Sequence, residues 1–345
     1  MNNNLMEINI KNFKSLEELN IKNLRRVNLI SGKNNVGKTA FMEAIELFVS
    51  SNDVLDLNIN IYEMIKRRQK TIQERYFELD FIYENSTKTE IKNNNKNISI
   101  EYIEMSDENL QELFQDSDGN YYFNYENFLK LKVNQQEKII PIDTILHNPS
   151  MVRRERMKNI KSKITFINST IIDEKEIAIL YGKLVDLNKE EFLNDSLKLF
   201  DENIIALKQK ATKSGIVLKI ALKDRELPVL LSSLGEGLNR FIAILCGIWA
   251  SKDGFLFIDE IENGIHYTNY PKLWKIIFEV SKKANCQVFI TTHSKECIES
   301  FNQCNNEEGV LLEFYKNKKN KIVAKTRDKE LLDYSLSHNG RVRGE

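Results

Sequence analysis

The sequence predicts an α/β fold with a mostly parallel core sheet covered on both faces, a β-rich N-terminal lobe and a helical insertion. Three observations predict it. Short apolar runs, "RVNLIS" (26–31), "GFLFIDE" (254–260) and "CQVFITTHS" (286–294), read as strands, the last two buried on both faces. Helical patterns alternate with them: "AFMEAIELFVSS" (40–51), "GLNRFIAILCGIWA" (237–250) and "YPKLWKIIFEVSKKA" (270–284). Alternating strands and helices imply parallel connections. Composition agrees, because 41% apolar residues in a chain of 345 can fill a core and 29% charged residues are too few for a disordered chain.

The elements follow in order. "LMEINIKNF" (5–13) alternates apolar and polar residues as a half-buried strand does. The strand at 26–31 runs into a glycine loop, and the helix over 40–51 places Phe41, Ala44, Ile45 and Phe48 on one face. From 53 to 165 the pattern is mixed and β-rich. Strands are expected at "YFELDFIYE" (76–84), "NISIEYIEM" (97–105) and "YYFNYENFLKLKV" (121–133), with a short helix at "DENLQELFQD" (107–116). The stretch 174–210 reads as helical, with Gly182 as its break. "GIVLKIAL" (215–222) is a strand. The expected organisation is one domain: lobe I over 1–165, a helical insertion over 166–214 and lobe II over 215–345.

Fifty Lys+Arg balance fifty Asp+Glu, so no bulk charge draws the chain to DNA or to an anionic membrane. Within "MVRRERMKNIKSK" (151–163) six basic residues stand against one acid, either a solvated face or a phosphate-backbone groove; overall neutrality favours the former. "MNNNLMEINI" lacks the basic and apolar regions of a signal peptide, and "FIAILCGIWA" (241–250) is too short to span a bilayer. The cysteines at 246, 286, 297 and 304 form no CxxC pair. Free thiols in a reducing cytoplasm are the expectation.

The chemistry concentrates in three places. Gly32–Thr39 spells G-x-x-x-x-G-K-T between a strand and a helix, a match that average composition yields by chance in about 1% of chains this long. Backbone N–H groups of Gly32, Lys33, Asn34, Asn35, Val36, Gly37, Lys38, Thr39 and Ala40 can converge on phosphate oxygens at a helix N-terminus. Lys38 supplies a point charge at the β/γ phosphates, and the Thr39 hydroxyl can ligate Mg²⁺. Next, the buried strand ending in Asp259-Glu260 sets two carboxylates at the carboxyl edge of the sheet, where ligands bind. Paired acids there also serve as helix caps, but beside a phosphate loop Asp259 is expected to hold Mg²⁺ and Glu260 to polarise the attacking water. Finally, His293 ends the following strand, where it can meet the γ-phosphate or that water. "LSSLGEGLNR" (231–240) adds a second anion-binding helix start, which makes sense if the nucleotide of another copy docks on it. His147 and His338 stand alone and read as surface residues.

These motifs, in this order, resemble the ABC-type ATPase head, and more closely the branch holding RecF, the SMC heads and the OLD-like AAA ATPases. "INIKNFKSLEELNIKNLRRVNLISGKNNVGKTAFMEAI" looks like the opening of that branch. "DEIENGIH" is similar to the OLD-like "DEPExxLHP" element, with Glu262 and His266 at its acid and histidine. "TTHS" matches the switch histidine. The likeness is good over about 1–50 and 225–300 and weak between them. It implies a slow Mg-ATPase with Lys38, Glu260 and His293 catalytic and Thr39 and Asp259 at the metal. Two subunits, or a larger homo-oligomer, would close over nucleotide with Ser233, Gly235 and Glu236 reaching the partner's site. Leu234 stands where the LSGGQ pattern has its first glycine, which alters that contact. Phe13 and Lys14 are expected near the nucleotide or else as a core Phe and a solvated Lys. Gln135 and Gln136 are candidates for the Q-loop. No Toprim nuclease module follows His293, so the chain resembles a stand-alone OLD-like ATPase paired with an effector, expected to be a nuclease, in bacterial anti-phage defence. The alternative is a RecF-like ATPase that binds DNA in repair or recombination.

Overall fold

The computed structural model describes residues 4–69, 86–104, 127–142, 145, 163–170, 172–213, 215–338, 340 and 342. The strand expected over 76–84, the helix over 107–116, His147 and nearly all of the basic run lie outside them.

Strand β3 (Val27–Gly32) sits inside a six-stranded sheet with β8 (Ile164–Ile167), β12 (Phe255–Ile258), β13 (Gln287–Thr292), β14 (Gly309–Lys316) and β15 (Ile322–Arg327). The order is β15-β14-β3-β13-β12-β8, parallel throughout except for β15. Successive residues of these strands feed opposite cores, as side-chain alternation requires. Leu29, Leu256, Ile258, Val288 and Ile290 enter one core, and Ile30, Phe257 and Phe289 enter the other. Both faces are covered, which is why the β12 run is wholly apolar. Phe166, Phe257 and Phe289 occupy matching positions on neighbouring strands and stack at 5.8 and 5.5 Å. Such cross-strand pairs help set register.

On the Phe257 face lie α1 (Lys38–Ser50), α2 (Val54–Arg68) and an antiparallel sheet. Its strands run β2-β1-β4-β5-β6-β7, with β1 Ile8–Phe13, β2 Leu16–Ile21, β4 Lys88–Lys92, β5 Asn97–Glu104, β6 Asn127–Val133 and β7 Gln136–Pro141. The β-rich expectation holds for the described residues, but α2 was not expected; Asp53 caps it by accepting from the Asp56 N–H. The other face packs α3 (Glu174–Asp186), α4 (Glu190–Phe200), α5 (Glu236–Ala250), α6 (Tyr270–Lys283), α7 (Lys295–Cys304) and α8 (Lys329–Ser337). The four cysteines are free thiols, three of them buried. No helix among the described residues is long and apolar enough to cross a membrane.

One expectation is corrected. The helical reading of 174–210 holds only to Phe200, and the break falls at Leu187–Lys189 rather than at Gly182, which lies inside α3. Residues Ile204–Thr212 form strand β9, paired with β10 (Gly215–Leu222) and then β11 (Val229–Leu230). A register shift between Ala221 and Leu222 leaves Ile205 as an extra residue, so Ile204 and Leu207 are both buried. Apolar residues three apart imitate a helix, and the bulge is what makes that spacing compatible with a strand.

Candidate functional site

The strand order β3-β13-β12 sets three carboxyl ends side by side: Gly32, then Thr292-His293, then Asp259-Glu260. Lys33, Asn34 and Asn35 form the exposed crest of the loop, while Val36 and Ala40 are buried beneath it. Gly37 is the N-cap of α1 at φ 78°, and a Cβ there would lie 2.8 Å from Leu16 Cδ2, so glycine is required twice over. The first helical bond runs from Phe41 N–H to Gly37 O, so the N–H groups of Lys38, Thr39 and Ala40 are among those an α-helix start leaves unpaired.

Lys38 Nζ donates to the carbonyls of Gly32 (2.8 Å) and Lys33 (2.7 Å), curling over the loop. Burial pulls its ammonium down to about 8, against the pull of Asp259, Glu260 and Glu262. Thr39 Oγ1 stands 3.5 Å from Asp259 Oδ1. Burial pushes the Asp259 carboxyl up, opposed by a 2.6 Å hydrogen bond from Thr291 Oγ1. The same Thr291 hydroxyl accepts from Glu260 N–H at 2.7 Å.

Glu260 adopts φ 49°, the left-handed region, which costs a non-glycine residue about 1–2 kcal/mol. Its oxygens are both engaged: Oε1 lies 3.1 Å from His293 Nε2, and Oε2 accepts from Asn263 Nδ2 at 2.8 Å. His293 Nδ1 lies 3.1 Å from Gly32 O and 3.3 Å from Lys38 Nζ. A neutral ring can serve Glu260 and Lys38, whereas a doubly protonated one serves Glu260 and Gly32. Glu262 Oε1 accepts from the backbone N–H groups of His293 (2.5 Å) and Ser294 (3.2 Å), pinning the turn that carries the histidine.

Lys38, Thr39, Asp259, Glu260, Glu262 and His293 therefore meet in one cluster. Ser233, Gly235 and Glu236 do not join it; they are exposed at the start of α5, and Leu234 packs into the core beside them. His266 is exposed and bonds Thr268 Oγ1, and His338 is exposed beside Tyr334. Gln135 lies in the exposed β6–β7 turn and Gln136 opens β7, both in the antiparallel sheet. Phe13 is a core residue, as one of the two readings had it, and Lys14 is buried rather than solvated. It pairs at 2.5 Å with Glu43 inside the protein, because Glu43, one turn beyond Thr39, is also gripped by Arg68. Thr291, Asn263 and Arg240 were not singled out from sequence. Each lies inside a segment that was: Thr291 in "TTHS", Asn263 in "DEIENGIH" and Arg240 at the end of "LSSLGEGLNR".

A phosphate loop, an acid pair at the end of the next strand but one and a histidine on the strand between them define an ABC-type P-loop ATPase. Residues 4–310 match the RecF/RecN/SMC N-terminal domain, and the chain belongs to that family. It is similar to an ATP/GTP phosphatase of Helicobacter pylori, 27% identical over 334 residues that cover 88% of this chain and 89% of the relative. It is also similar to the protein MJECL10 of Methanocaldococcus jannaschii, 27% identical over 199 residues, covering 56% and 84%. Among solved structures, an SMC head bound to the C-terminal winged-helix domain of ScpA matches with a TM-score of 0.51 at 12% identity, over 94% of this chain and 98% of that one, a likeness of fold.

Proposed function

We propose that the chain binds Mg-ATP on the Gly32–Thr39 loop and hydrolyses it slowly, with Glu260 taking the proton of the attacking water and His293 beside it at the γ-phosphate. The loop amides, the α1 N-terminus and Lys38 hold the phosphates. Thr39 and Asp259 form a hard-oxygen pair suited to Mg²⁺ and would hold it. When bound, the ion supplies charge neutralisation at the β and γ oxygens. The observation that carries this reading is the contact chain from Gly32 O through His293 to Glu260, with Thr291 tying Glu260 to Asp259. The name of the Helicobacter pylori relative supports nucleotide hydrolysis, with GTP to be tested beside ATP.

Two copies close head to tail in this reading, each presenting Ser233, Gly235 and Glu236 to the other's γ-phosphate. Their exposure at a helix start without a side-chain cap supports it. The test is Glu260→Gln. Turnover is lost while ATP-dependent dimers persist in size-exclusion chromatography with light scattering; turnover at the wild-type rate sinks the assignment.

The role that fits best is an OLD-like sensor or scaffold in anti-phage defence, whose ATP-driven opening releases a partner effector such as a nuclease. The resemblance of residues 259–266 to the OLD-like element supports it, together with Glu262, which ties that element to the histidine turn. Pull-down of the neighbouring gene product with and without ATP tests it. One observation favours a second reading, DNA binding of the RecF kind. Lys208 and Lys219 face each other across β9 and β10 with Lys210 on the same side of the sheet, like charges that an anionic partner would relieve. Salt-dependent DNA binding by the isolated protein decides for that reading.

A further inference from the structure

Strands β8 and β12 part after the bond from Asp259 N–H to Ile167 O. Beyond it, the carbonyls of Asn168, Asp259 and Glu260 need donors. One side chain supplies them. Arg240, 4% exposed, donates from one guanidinium nitrogen to Asn168 O at 3.0 Å and from the other to Asp259 O at 2.5 Å and Glu260 O at 2.8 Å. One of the residues it restrains, Glu260, holds left-handed backbone. Arg240 stands on α5, five residues from the exposed N-cap Gly235, about 7.5 Å along the helix. The first turn of α5 is also locked to the segment after Glu260, since a Cβ on Gly237 would lie 2.4 Å from Gly264 O. A shift of the Ser233–Glu236 end of α5 therefore cannot leave Asp259 and Glu260 where they are.

We propose that Arg240 is a positioning residue that couples the exposed Ser233–Glu236 face of α5 to the Glu260 carboxylate of the same chain. Docking of a second copy on that face moves α5, and the rigid guanidinium fork carries the movement to the backbone of Asp259 and Glu260. Each site is then aligned by the helix that reaches into its partner's site. The inference rests on the proposed roles of Glu260 and of Ser233–Glu236.

The test compares Ser233→Ala, Arg240→Met, Arg240→Lys and the double variant Ser233→Ala/Arg240→Met in the full chain. ATP turnover and binding of a fluorescent ATP analogue are both measured. Arg240→Met is expected to lower kcat about 10–100-fold, the scale of a small misplacement of a reacting group, with analogue affinity close to wild type. Arg240→Lys keeps the charge but not the fork and falls between the two. Ser233→Ala lowers kcat alone but adds nothing to Arg240→Met, because the link is already cut. Unchanged kcat in Arg240→Met, or losses that multiply in the double variant, overturns the proposal. If Arg240→Met does not fold, Arg240→Lys with and without Ser233→Ala decides by the same comparison. Should Glu260→Gln keep its turnover, the site reading itself has failed; should Glu260→Gln be inactive and Arg240→Met active, only the coupling has failed.

Discussion

Replacing Thr291 by Val isolates the one hydroxyl that joins the two acids. Thr291 is fully buried on β13, where a β-branched residue of the same shape fits the strand. Its Oγ1 donates to Asp259 Oδ1 at 2.6 Å and accepts from Glu260 N–H at 2.7 Å. Valine deletes both bonds without opening a cavity. Losing a hydrogen bond to a charged group costs about 1.5–3 kcal/mol, and leaving a buried amide unpaired adds about 1 kcal/mol. The sum, about 2.5–4 kcal/mol, lowers the melting temperature by roughly 3–6 °C in a chain of this size. Glu260 also loses the bond that steadies its left-handed backbone. If about 1.4–2.8 kcal/mol of that loss is felt in the transition state, kcat falls about 10–100-fold. The assay pairs a thermal melt with steady-state phosphate release for Thr291→Val and for Thr291→Ser, which keeps the hydroxyl. Thr291→Ser should recover most of both quantities. A Thr291→Val protein that melts and turns over like wild type refutes the claim that this hydroxyl organises the site.

Four further outcomes are expected. Glu43→Ala strands the Lys14 and Arg68 charges behind the loop and should cost about 3–5 kcal/mol in urea unfolding, whereas removing Glu279 from its exposed pair with Lys283 should cost under about 1 kcal/mol. Burial alone would push the Glu43 carboxyl up, but Lys14 and Arg68 outweigh it and hold it down at about 2, from an ordinary 4.5. Its stabilisation is therefore complete above pH 4.5 and lost as pH falls towards 2, so the slope of stability against pH in that window should flatten in Glu43→Gln. Gly237→Ala forces α5 away from Gly264 O and should lower the melting temperature, while alanine at Gly182, where a Cβ meets nothing within 4 Å, should be neutral or stabilising. Chelation with EDTA should abolish turnover, and added Mg²⁺ should restore it; turnover unaffected by EDTA would count against the metal pair Thr39 and Asp259.

The phosphate loop, the acid pair and the histidine were readable from sequence because each is a local pattern. Glycine spacing, a buried strand and the polar residue that ends it all fall within a few positions of one another. The same holds for β12 and β13, whose apolar runs state burial on both faces without reference to any partner. What tertiary structure alone decided is which of these local pieces touch. Thr291, Asn263 and Arg240 look like ordinary strand, turn and helix residues. They became parts of the site only because the order β3-β13-β12-β8 brings four strand ends together and leaves carbonyls and carboxylates there needing donors. Residues 204–212 show the converse. Their spacing of apolar residues satisfied a helix, and only pairing with β10 through a bulge made them a strand. Lys14 likewise carries no mark in the sequence of the buried Glu43 and Arg68 that hold it. Periodicity reports the environment of one segment, while hydrogen bonds and ion pairs between distant segments depend on sheet order and register, which no single segment encodes.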